Sequence, residues 1–168
     1  MGIINIFKQQ IMNPINYAKT IGVDIGKNCE FHKNIMWGSE PYLIKIGNNV
    51  RITNGVRFCT HDGGVWVLRN LKKEYTNIDI FGKIVVGNNV HIGWNAIIMP
   101  GVTIGDNCII GAGAIVTKDI DSNSIAVGIP AKVIKNIQDY EIKNKTSFMY
   151  TKQMSYKKKR NFLDKNLK

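Results

Sequence analysis

Six residues separate each member of the series Val86, Ile92, Ile98, Ile104, Ile110 and Val116. No single regular element has that period, since a helix presents one face every 3.6 residues and a strand every two. A six-residue period instead fits a solenoid in which each hexad forms one short flat side and three hexads close a triangular coil. Four residues after each of the first five come Val90, Ala96, Val102, Cys108 and Ala114, all small or aliphatic. The aliphatic residue is expected to point to the axis. The next residue is Gly at 87, 93, 105 and 111. With corners written GNNV and GDNC, the Gly or Asn that follows the aliphatic is expected to serve the corner, because these residues tolerate turn conformations.

The first half follows the same grammar less cleanly. Ile25, Phe31 and Trp37 are six apart, as are Ile46, Ile52 and Phe58, but 37 to 46 is a step of nine. The stretch SEPYLI therefore inserts three extra residues. Between Phe58 and Ile80 the ladder fails, and Ile80 is expected to rejoin the register of Val86. That predicts an outward loop over about 61–79, too long for a corner. Long loops on rigid scaffolds are disproportionately functional.

With 168 residues the chain is long enough for one well-buried domain and short for two. No apolar run approaches the ~18–20 residues of a membrane span, and the first twenty residues lack the pattern of a secretory signal. Three cysteines without paired spacing suggest reduced thiols and a cytoplasmic protein. Cys29 and Cys108 fall on inward positions, and Cys59 beside the loop is read as structural. The expected organisation is an N-terminal helical or irregular segment (1–20), a solenoid (21–137) and a basic tail (138–168). The tail reads as helical by residue type, having no Gly or Pro. It carries +6 of the chain's net charge of +11, from nine Lys/Arg against three Asp/Glu. Such a balance draws anionic partners. A tail packed on the solenoid or on a neighbouring subunit is the plainer reading; a peripheral contact with anionic membrane, through KKKR, is the sharper one. No motif supports nucleic-acid binding.

The ladder written [IV]-G-x-x-x-x, over roughly Ile21 to Ile137, resembles the hexapeptide-repeat acyltransferases. More narrowly, GSEPYLIKIGNNVRI, THDGGVW with Arg69, IFGKIVVGNNVHIGWNAIIMPGVTIG, GAGAIVTKDI and VGIPAKVI are similar to bacterial acetyltransferases of capsule and surface-polysaccharide biosynthesis. The resemblance implies an all-β fold, a left-handed parallel β-helix with a protruding loop and, here, a C-terminal helical tail. It also implies a homotrimer with acetyl-CoA in a groove between adjacent helices, and a histidine base at the foot of the loop. His61 is the only loop histidine.

Imidazole suits acyl transfer because its ordinary pKa lies near working pH, and a positioned base contributes ~10²–10⁴-fold. An oxyanion donor is expected from a backbone N–H at Gly93 or Trp94. Serine-acetyltransferase-like relatives orient the histidine with an Asp from a preceding coil, yet 46–60 contains no carboxylate. Three candidates remain to orient His61: Asn54, Asp62 and Glu40. Asp62 and Glu40 are also candidate acceptor contacts, with Arg69, which can equally anchor the loop. Many relatives carry Trp where this chain has His91, so the aromatic contact is expected at Trp94, with Trp66 packing the loop. On the resemblance, Gly93, Gly111, Ala112 and Gly113 admit the pantetheine arm, Lys118 and Lys132 meet CoA phosphates, and Pro130 and Ala131 lie against the adenine. The zinc carbonic anhydrases of the same fold need three histidines, two of them close in sequence. His32, His61 and His91 are 29 and 30 apart, so no metal is expected.

The reading is thus an acetyl-CoA-dependent O-acetyltransferase of a sugar hydroxyl. An N-acetyltransferase of an amino sugar or an antibiotic is the alternative of the same class. A non-catalytic structural β-helix is the alternative of another.

Overall fold

The computed structural model describes residues 11–167. It divides into two compact units, Met1–Ile137 and Gln138–Lys168.

In the first unit a short helix, α1 (Pro14–Thr20), starts with Pro at its first turn and is capped by the Asn13 side chain, which accepts from the N–H groups of Ile15 and Asn16. Its Tyr17 and Ala18 are buried. The solenoid follows in short strands. Its first two coils hold β1 (Asp24–Ile25), β2 (Glu30–Phe31), β3 (Ile44–Ile46), β4 (Arg51–Ile52) and β5 (Arg57–Phe58). After the loop come β6 (Ile84–Val86), β7 (His91–Ile92), β8 (Ile97–Ile98), β9 (Thr103–Ile104), β10 (Ile109–Ile110), β11 (Ile115–Val116), β12 (Ser124–Val127) and β13 (Lys132–Asn136). They form three sheets, in the orders β1-β3-β6-β9, β2-β4-β7-β10-β12-β13 and β5-β8-β11. We call these faces A, B and C. Every pairing is parallel except β12 with the returning β13.

The ladder is the core. Val86, Ile92, Ile98, Ile104, Ile110 and Val116 are at most 1% exposed, and Val90, Ala96, Val102, Cys108 and Ala114 at most 2%. Toward the N-terminal end aromatic residues take the same positions: the rings of Trp37 and Phe58 stack 5.0 Å apart, with Phe31 5.6 Å from Trp37.

Corner chemistry differs from the expectation in one respect. The Gly after the aliphatic does not make the turn. The left-handed residue lies two positions further on, at Asn49, Asn89 and Asn107, with φ of 55–56°. The Gly is needed because coils stack: a Cβ at Gly87 would lie 2.8 Å from the carbonyl carbon of Gly105, and at Gly93 2.5 Å from the nitrogen of Ala112. Side chains satisfy the corner N–H groups, since Asn88 Oδ1 accepts from Asn48 N at 2.9 Å and Asp106 Oδ1 from Asn88 N at 2.6 Å.

Ile80 does not rejoin the ladder. It is 50% exposed, and burial resumes at Ile84. The cause is the antiparallel bridge between His61 and Phe81 that closes the loop. Asp62 N–H donates to Ile80 O and Gly82 N–H to Thr60 O, which turns the Ile80 side chain outward. Within the loop, α2 (Val65–Leu71) precedes a 3₁₀ turn, Lys73–Tyr75.

The second unit contains most of α3 (Ile137–Asn144), a 3₁₀ turn (Lys145–Ser147) and α4 (Tyr156–Asn166). Neither helix has a buried residue. No described helix is long and apolar enough to cross a membrane.

Candidate active site

Faces C and A meet at a corner occupied by Gly38, Ser39 and Glu40 in one coil and by Thr60 and His61 in the next. Glu40 opens a 3₁₀ turn, Pro41–Leu43, built by the three-residue insertion. Gly38 has φ +71°, and a Cβ there would stand 2.7 Å from Thr60 Oγ1, so only glycine lets these coils approach. Thr60 is wholly buried and donates its hydroxyl to Glu40 Oε2 at 2.6 Å. The same Oε2 lies 3.1 Å from His61 Nδ1, and Ser39 Oγ lies 3.0 Å from that nitrogen. The hydrogen bond from Thr60 holds the Glu40 carboxyl below the usual glutamate range; partial burial opposes this, and His61 and Ser39 add to it. His61 is half exposed, with Phe81 set edge-on to it, the two ring centroids 6.4 Å apart. One ring nitrogen thus faces a carboxylate, and Nε2 is not engaged by it.

The other expected site residues fall into three groups. Asn54, Gly93 and Trp94 stand at the corner between faces B and C, one side of the prism away from His61. A single chain does not bring them to the imidazole. The Gly93 N–H donates to Ile110 O at 2.8 Å, which removes it as an oxyanion donor, while Trp94 is 57% exposed.

The second group surrounds β11. Gly111, Ala112 and Gly113 precede it, and a Cβ at Gly113 would meet nothing within 4 Å, so the coil surface there is open to a ligand chain. Ala131 N–H donates to Ile115 O, which lays Pro130 and Ala131 alongside the strand. Lys118 lies just past its far end, and Lys132 begins β13; both are exposed. Residues that could hold acetyl-CoA are therefore gathered on the last coils of the solenoid.

The third group is committed to the loop. Asp62 Oδ1 accepts from Gly64 N at 2.8 Å and shapes the entry to α2. Arg69 donates from Nε to Ile78 O at 2.8 Å and pairs with Asp79, so it ties the loop and is not directed to an acceptor. Trp66, expected to pack the loop, is 68% exposed instead, because α2 rests on Val65 alone. Among the described residues no group of three or more His, Cys, Asp or Glu side chains could hold a metal ion.

Sequence reasoning passed over Ser39 and Thr60, although Thr60 adjoins the histidine and Ser39 lies in the insertion. It also passed over a groove of about 630 Å³ beside Ser39, walled by Tyr17, Ile21, Met36, Pro41 and Tyr42. His91 is half-buried; burial first, then Arg51 and His32, lower its pKa, against a smaller opposing effect of Glu30.

A parallel prism of hexads, with a histidine at the foot of its extruded loop and a coil surface open at Gly113, defines an acyltransferase of the hexapeptide-repeat class. Residues 83–118 match the family described as hexapeptide repeat of succinyl-transferase. The chain is 51% identical to protein CapG of Staphylococcus aureus over 86% of its own length and 84% of that protein's. It therefore belongs to the hexapeptide-repeat acetyltransferases. It is also 40% identical to the galactoside O-acetyltransferase of Escherichia coli K12, over 75% of this chain and 60% of that protein. The structure of a galactoside acetyltransferase in complex with coenzyme A superposes with a TM-score of 0.62 at 29% identity, covering 89% of this chain and 82% of that one.

Proposed function

We propose that this protein transfers the acetyl group of acetyl-CoA to a sugar hydroxyl of a capsule or lipopolysaccharide precursor. His61 Nε2 is the general base, taking the acceptor proton as the oxygen attacks the thioester carbonyl carbon. Collapse of the tetrahedral intermediate breaks the C–S bond, and the imidazolium returns the proton to the departing thiolate. Holding both substrates in one ternary complex supplies a further share of the rate.

On this reading the coils wind left-handed and the working enzyme is a homotrimer. The corner of one copy that carries Asn54, Trp94 and the Gly111–Gly113 segment then faces His61 of another, with Lys118, Pro130, Ala131 and Lys132 on the nucleotide end of CoA. A cytoplasmic enzyme at the inner face of the membrane, its basic tail toward anionic lipid, completes the reading. The observation that carries it is the engaged His61 at the foot of the loop, on a solenoid whose last coils are open beside glycine. The identity to a galactoside O-acetyltransferase supports the glycan branch.

The test is CoA release from acetyl-CoA across glycans, nucleotide sugars, amino sugars and antibiotics, beside His61→Ala. Glycan-dependent release should fall by about 10²–10⁴-fold in the variant with acetyl-CoA binding unchanged. Release only with amines or antibiotics would move the reading to N-acetyl or xenobiotic transfer. Absence of acetyl-CoA binding would leave a structural subunit.

A further inference from the structure

We propose that Glu40 is the positioning residue of His61, anchored by Thr60 and brought to the corner by the three-residue insertion. The inference rests on His61 acting as the base.

The geometry makes the contact a designed one. Thr60 is wholly buried, so the hydroxyl that grips Glu40 Oε2 at 2.6 Å cannot wander. The Glu40 N–H also points to Thr60 Oγ1, at 3.4 Å, and its carbonyl accepts from Leu43 N at 3.0 Å, so the backbone is held at both ends. The carboxylate meets Nδ1 at 3.1 Å with its side chain only 17% exposed. A carboxylate accepts and does not donate. The shared proton therefore resides on Nδ1, which leaves the Nε2 lone pair free for the acceptor hydroxyl. When the imidazole becomes imidazolium during attack, the charge forms against a fixed negative partner, and no solvent need reorganise to meet it.

Ser39 Oγ, at 3.0 Å from the same nitrogen, is the rival. A hydroxyl accepts or donates, so Ser39 alone permits either tautomer and offers no charge to an imidazolium. The two assignments separate by experiment. Uniformly ¹⁵N-labelled protein, without substrate, reports the His61 tautomer by imidazole nitrogen NMR. With Glu40 in the role, the wild type holds the proton on Nδ1, Glu40→Gln populates both tautomers, and Ser39→Ala leaves the spectrum unchanged. In steady state, Glu40→Gln lowers kcat by about 10²-fold or more with KM for acetyl-CoA unchanged. Ser39→Ala costs less than about 3-fold, and Glu40→Asp recovers part of the loss. Thr60→Val repeats the Glu40→Gln phenotype more weakly and serves in its place if Glu40→Gln does not fold.

A wild-type His61 protonated on Nε2 would overturn the assignment, as would a Glu40→Gln enzyme within about 3-fold of wild type. The NMR measurement needs no acceptor. Failure to find acetyl transfer would therefore count against the proposed function and leave the Glu40 contact to be judged on the tautomer alone.

Discussion

A methyl group added at Gly47 measures what coil stacking demands. A Cβ there would lie 2.5 Å from Gly87 O and 2.7 Å from its carbonyl carbon, backbone atoms that no rotamer change can move. Gly47→Ala should destabilise the fold by roughly 1–3 kcal/mol, as overpacking does, read as a lower urea midpoint at unchanged m-value. At this scale the sequence was legible where a residue was alone in its role: His61 is the single histidine of the loop. Glu40 was visible too, but its direction was not. A side chain and its partner on the same corner of the next coil differ by a full turn, 18 residues for Asn88 and Asp106. Glu40 and His61 differ by 21, one turn plus the three inserted residues. Asn54, seven residues before His61, falls one corner too early by the same arithmetic. Periodicity places a residue on a side or a corner; the reach of its side chain needs coordinates.

Face B carries outward what the inward ladder does not determine. Arg51 pairs with His91 across β4 and β7, Glu30 with Arg51 across β2 and β4, and His32 lies just beyond β2. Arg51 Nε meets Glu30 Oε1 at 3.2 Å, leaving half-buried His91 beside two cationic or protonatable neighbours and one carboxylate. Its lowered pKa means the unfolded chain binds a proton before the folded one does. Stability is therefore complete above the ordinary imidazole pKa of about 6.5 and falls as pH drops through it. His91→Gln should flatten the fall in melting temperature between about pH 7.5 and 5, measured against wild type in one buffer series. An unchanged slope would assign the pH dependence elsewhere. The helix in the loop was not legible as an element: α2 is seven residues long, follows Gly63-Gly64, and buries only Val65, so no apolar period announces it.

Viewed as a whole, the prism is dressed unequally. Face A presents Asp24, Lys45 and Thr103 outward and exposed, with half-buried Val85 in the same row. Face C presents Met36, Arg57, Ile97 and Ile115 outward, face B presents Ile109 beyond Glu30, Arg51 and His91, and Trp94 stands exposed at the corner between them. The hexad pattern could not foretell this, because it reports which residues line the axis and is silent on which side meets a partner. Ile97 and Ile115 on face C, with Trp94 at the corner beside them and Ile109 on the adjoining face, suit a closed ring of identical subunits, in which each copy contributes two different surfaces to one repeated contact. On the trimeric reading, light scattering should give a single species of three times the mass of one chain. Replacing Ile97 and Ile115 together by Lys should yield a monomer with the circular dichroism of wild type, since both side chains lie outside the core. That monomer should lose acetyl transfer, because Asn54 and Trp94 are a full side of the prism away from His61 in their own chain and, on the trimeric reading, would reach an imidazole only in a neighbour's. A monomer that retained wild-type turnover would mean that one chain suffices, and Asn54 and Trp94 would then have no part in the reaction.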